Sequence, residues 1–157
     1  EFVLELFKIL KTNNIHTAVD TSGIFLNDKV KQVLEFTDLV LLDIKHINPD
    51  KYLKLTNAPL QATLDFMTYL AETGKKVWLR YVLVPGYTDD ETDLHHWAQY
   101  ASQFSNVERV DLLPFHQMAT HKWENMEVTY KLKAVPPAQK ADVERAENIF
   151  RLYGLNI

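Results

Sequence analysis

Short, almost continuously apolar runs alternate along this chain with segments of helical length, and this alternation constrains the fold more than any other feature. Apolar runs of this kind are typical of parallel strands that are buried on both faces and connected by helices. The pattern predicts a leading helix, four parallel strands joined by helices, an irregular stretch over residues 117–137 and a closing helix. The predicted strands cover residues 15–20, 39–43, 76–84 and 107–114.

The number of strands limits the possible α/β architectures. A closed barrel of eight strand–helix units takes about 250 residues, so a chain of 157 residues with four predicted strands cannot close one. The chain is therefore an open α/β sheet or part of a partial barrel, and a start on a helix favours the second. No linker, fixed-period repeat or low-complexity tract divides residues 1–157, which we treat as one unit.

Composition and charge exclude several classes of function. A formal net charge of -4 provides no basic surface for a phosphate backbone, so we expect no nucleic-acid partner. No apolar run approaches the roughly 18 residues of a membrane span. The absence of cysteine excludes disulfides and thiolate metal sites in this segment, and it fits a reducing cytoplasm. Without a starting Met or a basic leader, we expect no signal peptide and a chain cut from a longer one.

Three of the apolar runs break off abruptly onto polar residues. The first ends in Asp20-Thr21-Ser22-Gly23, the second in Asp43-Ile44-Lys45 and the last in His116. Because the carboxyl ends of parallel strands meet at one edge of a sheet or barrel, we expect these residues to converge. The sequence therefore predicts a functional site at this edge.

The charged residues at the strand ends have two possible roles each. Asp43 and Lys45 are two residues apart and share one face of the strand. They either bind the ammonium and the carboxylate of a zwitterion or neutralise each other. Arg80 lies between apolar neighbours and must find an anion, because an unpaired buried charge is very costly. It is either a member of a structural ion pair or an anchor for a ligand.

The remaining polar positions also leave alternatives open. Asp20 and Thr21 offer hard oxygen ligands beside a glycine, which suits a cation or a ligand hydroxyl, but Asp20 is equally compatible with a helix cap or a turn. His116 is equally compatible with a partly buried imidazole that has no role in binding. His95 and His96 are neighbours on a predicted helix, where their side chains diverge, so they cannot bind a metal together.

Local signals mark several helix ends. Asn27 is a candidate N-cap for the helix that follows the first strand. Thr88 and Glu91 have the spacing of a capping box, which predicts that Thr88 begins the next-to-last predicted helix. Gly74 is predicted to end the preceding helix in a left-handed conformation.

Several of these motifs together resemble the family of pyruvate formate-lyase-activating enzymes, which are radical S-adenosylmethionine proteins. The resemblance extends through essentially all 157 residues and corresponds only to the later part of the family's chain. The stretches that carry it are Val-Asp-Thr-Ser-Gly at 19–23, Leu-Asp-Ile-Lys at 42–45, Val-Trp-Leu-Arg-Tyr-Val-Leu-Val-Pro-Gly-Tyr-Thr-Asp-Asp at 77–90, Leu-Leu-Pro-Phe-His at 112–116 and His-Lys-Trp at 121–123.

The resemblance implies a fold and a set of site residues. Members fold as a six-stranded partial βα barrel, and the four strands of this chain correspond to its last four. By this resemblance S-adenosylmethionine is bound by Asp43, Ile44 and Lys45 and contacted by His116. Arg80 is implied to face the ligand and substrate pocket. A monovalent cation beside the ligand is implied to be held by Asp20, Thr21, the backbone carbonyl of Leu41, and Asp43.

The chain departs from the family in one large respect. It lacks both the Cys-x3-Cys-x2-Cys loop that ligates a [4Fe-4S] cluster and the Gly-Gly-Glu segment that grips the methionine amino group. The resemblance implies that the intact protein, with a reductant such as flavodoxin, cleaves S-adenosylmethionine to a 5'-deoxyadenosyl radical. That radical removes a hydrogen atom from a glycine of pyruvate formate-lyase or a related glycyl radical enzyme. We expect this cytoplasmic segment to be inactive alone.

Two other functions remain open at the level of sequence. In the first, Lys45 is the Schiff-base lysine of a different class of barrel enzyme. This requires an apolar site that keeps the amine neutral, whereas the nearby Asp43 favours the charged form. In the second, the chain is a non-catalytic module that docks on a large enzyme or binds the nucleoside ligand.

Overall fold

The computed structural model describes residues 1–118 and 120–157, which form an α/β fold around one parallel sheet. The four strands lie in the order β1-β2-β3-β4, so that each strand pairs with the next one along the chain. This confirms the predicted α/β class and the parallel sheet. The strands are β1 Ala18–Thr21, β2 Leu39–Asp43, β3 Lys76–Leu83 and β4 Val107–Pro114.

The predicted helices are all present in the described residues, and two short helices occur where none was predicted. The unpredicted ones are α3, which follows β2, and α6, which lies in the stretch predicted to be irregular; Ala119 of that stretch is outside the described residues. In α3 the Asn48 side chain accepts hydrogen bonds from the first backbone amides, with Pro49 in the first turn. The helices are α1 Phe2–Thr12, α2 Asp28–Glu35, α3 Pro49–Thr56, α4 Leu60–Glu72, α5 Glu91–Ala101, α6 Thr120–Asn125 and α7 Lys140–Leu152.

One face of the sheet is packed against helices, and the other is partly open. Tyr81 of β3 packs between Trp97 of α5 and Phe150 of α7, with ring centroids 5.1 and 5.8 Å away. The apolar runs predict burial on both faces, and here the structure differs: Trp78, Arg80 and Val82 on the second face are only partly buried. Four strands in a row do not close on themselves, so this face is not enclosed.

Two of the three predicted helix ends are confirmed. The Asn27 side chain accepts from the Val30 amide at 3.0 Å and caps α2, and Gly74 has a φ of 64° at the end of α4. The prediction that Thr88 caps α5 is wrong, because the Asp90 side chain accepts from a first-turn amide and is the cap. The Thr88 hydroxyl is buried and bridges two backbone groups of the β3 end.

The first predicted strand is shorter than expected. Residues 15–17 precede β1, and Thr17 is held by the carboxylate of Asp38, whose Oδ2 accepts the Thr17 amide at 2.8 Å.

In the described residues, no helix has the length and apolar character needed to cross a membrane.

Candidate functional site

Four charged side chains from the first three strands and the residues after β2 meet at the carboxyl edge of the sheet. The Arg80 guanidinium donates to the Asp20 carboxylate, and its Nε lies 4.0 Å from Oδ1 of Asp43. The Lys45 ammonium donates to Oδ2 of Asp43 over 2.9 Å. Asp20, Arg80, Asp43 and Lys45 therefore form one network, and this edge of the sheet brings the predicted residues together.

Strand register explains why these residues meet. Asp43 pairs with Arg80 across the β2–β3 ladder, so both side chains project from the same face. Asp20 pairs with Leu41 of β2, which lies two residues before Asp43 and projects from the same face. Adjacent strands lie about 4.8 Å apart, so the long Arg80 side chain reaches over β2 to contact β1. Its charge is compensated by two carboxylates, as a partly buried guanidinium requires.

A second charged cluster on the same face of the sheet was not identified from the sequence. Asp111 of β4 lies in register with Arg80, and its Oδ1 is 2.7 Å from Nε of Arg109. The Arg109 guanidinium also lies 5.1 Å from the centre of the Trp78 ring, within the range of a cation–π contact. The i, i+2 spacing of Arg109 and Asp111 is the same signal that marks Asp43 and Lys45, and it could have been used.

The other residues implied to bind a cation are close by but differ in orientation. Leu41 projects from the same face as its ladder partner Asp20. Thr21 follows Asp20 directly, so its side chain leaves the strand on the opposite face, where its hydroxyl accepts the Gly23 amide at 3.0 Å. The side chains of Leu41 and Thr21 thus leave the sheet on opposite faces, whereas the backbone carbonyl of Leu41 lies near the plane of the sheet.

His116 lies just beyond the end of β4 and is exposed. Its Nδ1 accepts a long hydrogen bond of 3.4 Å from the Met118 amide. The alternative of a partly buried structural imidazole is therefore wrong, and the ring is accessible to a ligand at this edge.

The alternative roles of Asp20 and Lys45 are also weakened by the geometry. Asp20 does not cap the helix that follows it, because Asn27 does so. Lys45 is about two-fifths exposed and paired with Asp43, which is the opposite of the apolar isolation that activates a Schiff-base lysine.

The donor set fits a zwitterionic ligand but not an iron–sulfur cluster. Carboxylate and ammonium groups side by side match the ammonium and carboxylate of an amino acid such as the methionyl part of S-adenosylmethionine. A [4Fe-4S] cluster needs cysteine thiolates, and this chain has none. Within residues 1–118 and 120–157, no three His, Asp or Glu side chains converge as metal ligands, so a cation at this edge would depend on hydroxyl and carbonyl oxygens besides the two Asp carboxylates.

The family model of the radical SAM superfamily matches residues 1–98, which is more than half of the chain. The chain belongs to the radical SAM superfamily. It is 40% identical over 156 residues to the pyruvate formate-lyase 1-activating enzyme of Escherichia coli K12, covering 98% of this chain and 63% of the relative. It is 41% identical over 151 residues to the pyruvate formate-lyase-activating enzyme of Staphylococcus epidermidis, covering 92% and 60%. These relatives confirm the family resemblance, and the chain spans less than two thirds of their length.

Solved structures support the fold independently. A crystal structure of a domain of pyruvate-formate lyase-activating enzyme from Bacteroides vulgatus superposes with a TM-score of 0.81 at 21% identity, covering 99% of this chain and 87% of that one. A radical SAM methyltransferase from Sphaerobacter thermophilus superposes with a TM-score of 0.68 at 19% identity, covering 92% and 40%. At these identities the likeness shows the fold alone, which is that of a radical SAM partial barrel.

Proposed function

We propose that residues 1–157 form the later portion of a radical SAM partial-barrel domain in a glycyl radical enzyme activase, and that the carboxyl edge of the sheet binds S-adenosylmethionine. The observation that carries the proposal is the Asp20–Arg80–Asp43–Lys45 network, which lies at the strand ends of a chain 40% identical to a pyruvate formate-lyase 1-activating enzyme.

Asp43 and Lys45 have complementary roles in this proposal. Their side chains now pair with each other over 2.9 Å. A methionyl zwitterion brings a pair of charges of its own, with its carboxylate on Lys45 and its ammonium toward Asp43 and the family's Gly-Gly-Glu segment, so no net charge is buried. Ile44 supplies the backbone between them, and His116 contacts the ligand from the end of β4. Arg80 faces the same pocket, where its guanidinium lies between the carboxylates of Asp20 and Asp43.

A monovalent cation beside the methionyl carboxylate completes the proposed site. Its ligands are Asp20, Thr21, the carbonyl of Leu41, and Asp43. In the structure the Arg80 guanidinium contacts both carboxylates of this set. Cation and guanidinium therefore compete for the same oxygen atoms, and binding of the cation releases Arg80 toward the substrate pocket.

The remainder of the proposed activity requires protein that this chain does not contain. Bound together with a [4Fe-4S] cluster, S-adenosylmethionine supplies the radical chemistry, and the cluster's ligands are not among these 157 residues. We propose pyruvate formate-lyase or a related glycyl radical enzyme as the partner, flavodoxin as a reductant and the cytoplasm as the compartment. The chain alone is inactive in this proposal.

An apolar groove beside β1 supports the view that further strand–helix units pack here. It has a volume of about 380 Å³ and is lined by residues of α1, β1, α2 and α4, and β1 is the outer strand of the sheet on this side. An apolar surface next to an unpaired strand edge is suited to another strand and helix. Its apolar lining includes Val3, Leu4, Val19, Ile24, Phe25, Val30, Val33, Leu34 and Phe66.

Calorimetric titration of the chain with S-adenosylmethionine tests the ligand site. We expect saturable binding that Lys45→Met weakens by about tenfold, since each tenfold change in Kd corresponds to about 1.4 kcal/mol, within the range of one charged hydrogen bond. Lys54→Met, an exposed lysine on α3, is the matched control and should bind like the wild type. Equal affinities of the Lys45 and Lys54 variants would contradict the proposed role of Lys45.

Activity is tested separately. The chain is supplied with iron, sulfide and a reductant, and methionine and 5'-deoxyadenosine are measured. We expect no product above a protein-free blank, and any turnover would refute the inactivity of the chain alone.

A further inference from the structure

The segment that follows β2 is attached to the helical layer through its buried residues. The β2–β3 ladder ends at the pair of Asp43 and Arg80, so sheet pairing does not extend to residues 44–46. In this segment Ile44 and His46 are fully buried, whereas Asp43 and Lys45 are partly exposed. The two proposed ligand-binding side chains thus alternate with two side chains that point into the core.

Ile44 is held through its backbone carbonyl. The indole Nε1 of Trp97 donates to this carbonyl at 3.0 Å, and both residues are buried. Trp97 belongs to α5 and stacks on Phe150 of α7, with ring centroids 4.9 Å apart. The hydrogen bond therefore ties the end of β2 to the packed interior of two helices.

His46 accepts a hydrogen bond at one ring nitrogen and faces a carboxylate with the other. Its Nδ1 accepts the Asn48 amide at 3.0 Å, so in the neutral ring the proton is on Nε2. Nε2 lies 3.5 Å from Oδ2 of Asp93 on α5, slightly beyond an ordinary hydrogen bond, and it has no closer partner in the part of the chain that the structure describes. The same Asp93 carboxylate also pairs with the ammonium of Lys51 at the surface.

Burial of His46 favours the neutral ring. Desolvation lowers the pKa of His46 below its ordinary value, although the Asp93 carboxylate opposes this effect. Asp93 is itself well placed in the first turn of α5, where the helix N-terminus stabilises negative charge. The contact between His46 and Asp93 is thus a polar link between a loop and a helix inside the protein.

We propose that His46, Asp93 and Trp97 are positioning residues that fix the backbone of residues 44–46 and thereby present Asp43 and Lys45 to the ligand. This inference rests on the proposed S-adenosylmethionine site. None of the three residues touches the ligand. Because neighbouring side chains in extended backbone project in opposite directions, holding Ile44 and His46 in the core determines where Lys45 leaves the chain. Without these contacts, which we call the anchor, Lys45 is held among the described residues by its contact with Asp43.

The first test measures local order without any ligand. Amide hydrogen exchange is followed by mass spectrometry in a peptide covering residues 42–47 of the full chain. We expect His46→Leu, which keeps the bulk but removes both polar contacts, to accelerate exchange in this peptide by about tenfold through local opening. His46→Gln, whose amide can donate toward Asp93, should restore much of the protection, and the exposed His96→Leu should leave it unchanged.

A second variant covers the possibility that His46→Leu does not fold. Trp97→Phe keeps an aromatic ring in the core but removes the donor to the Ile44 carbonyl, and it should accelerate exchange in the same peptide. Exchange in peptides from β3 is the internal reference. Unchanged exchange at residues 42–47, or equal acceleration throughout the chain, would refute the proposal that His46 and Trp97 fix the backbone of residues 44–46.

The second test links the anchor to the ligand. In calorimetric titration with S-adenosylmethionine, we expect His46→Leu and Trp97→Phe to raise Kd by about tenfold and His46→Gln to raise it by about threefold or less. Wild-type affinity in all variants would overturn the positioning role. If the wild-type chain does not bind S-adenosylmethionine, the proposed ligand site fails, while the exchange experiment still decides whether the anchor orders residues 44–46.

Discussion

Gly23 is the position where a single added methyl group should have the largest calculable effect on stability. It lies two residues after the end of β1 and has a φ of 67°. A Cβ atom built at this position would lie 2.9 Å from Cδ1 of Leu42 and 3.0 Å from Cγ of Phe66. Both neighbours are fully buried core residues, so they have little room to move away. Gly23→Ala therefore introduces backbone strain and a steric overlap together.

The chain provides a control that separates these two costs. Gly74 has a φ of 64°, nearly that of Gly23, but an added Cβ would meet no atom within 4 Å. Gly74→Ala should lose about 1–2 kcal/mol for the left-handed conformation alone. Gly23→Ala should lose this and about 1–3 kcal/mol more for overpacking. Gly23→Ala should consequently unfold at a lower temperature than Gly74→Ala, by about 2–4 °C for each additional kcal/mol.

Urea unfolding and thermal unfolding, both followed by circular dichroism, measure the two variants beside the wild type. The quantity that tests the argument is the difference in unfolding free energy between Gly23→Ala and Gly74→Ala. If the two variants are equally stable, Leu42 and Phe66 relax at no cost, and the steric argument is refuted.

Three further predictions concern other parts of the fold. The Asp38 carboxylate accepts from the Lys11 ammonium and the Thr17 amide, which lowers its pKa from 3.8 to about 2. Its contribution is therefore present above about pH 4 and lost as the pH falls through 2. At about 1.4 kcal/mol per pKa unit, reduced by solvent screening, Asp38→Asn should cost about 1–2 kcal/mol at pH 7 and flatten the acid limb of the stability profile. Thr88→Val removes two buried hydrogen bonds and should cost about 1–3 kcal/mol, whereas Asp90→Ala removes a helix cap and should cost about 1 kcal/mol in urea unfolding. Arg80→Met removes the competitor for the proposed cation site, so potassium chloride should raise the unfolding temperature of this variant more than choline chloride does.

Each of these predictions has a clear opposite result. An Asp38→Asn variant whose stability varies with acid pH as in the wild type would show that this carboxylate is not stabilised by its partners. A Thr88→Val variant with wild-type stability would show that the two hydrogen bonds of the Thr88 hydroxyl to the end of β3 do not stabilise the fold. Equal effects of the two salts on Arg80→Met would argue against a cation bound between the two carboxylates.

The secondary structure of this protein could largely be predicted from local sequence. The bounds of β2 agree with the prediction, because an apolar run between polar residues has few other solutions. Asn27 was identifiable as a cap, since its side chain needs only an amide three residues ahead. Where two candidates compete within one turn, local patterns fail. Thr88 and Asp90 are both good N-cap residues. The Thr88 hydroxyl does not cap α5, because it forms hydrogen bonds with two backbone groups at the end of β3.

The candidate site was only half predictable for a related reason. The sequence alone determined that Asp20, Asp43 and Lys45 lie at strand ends and that Arg80 needs an anion. It did not determine which anion, because the contact between Arg80 and Asp20 joins residues 60 positions apart and depends on strand order and register.

The contacts that hold residues 44–46 depended on tertiary structure in the same way. Trp97 reaches the carbonyl of Ile44 across 53 positions, since α5 packs back over the end of β2. Residue type and spacing determine which groups need partners, whereas the packing of strands and helices decides which partners come within hydrogen-bonding distance. A hydrogen bond or ion pair requires its two atoms to lie within a few ångströms of each other. The number of residues between two positions in the sequence does not determine their distance in the folded protein with that precision.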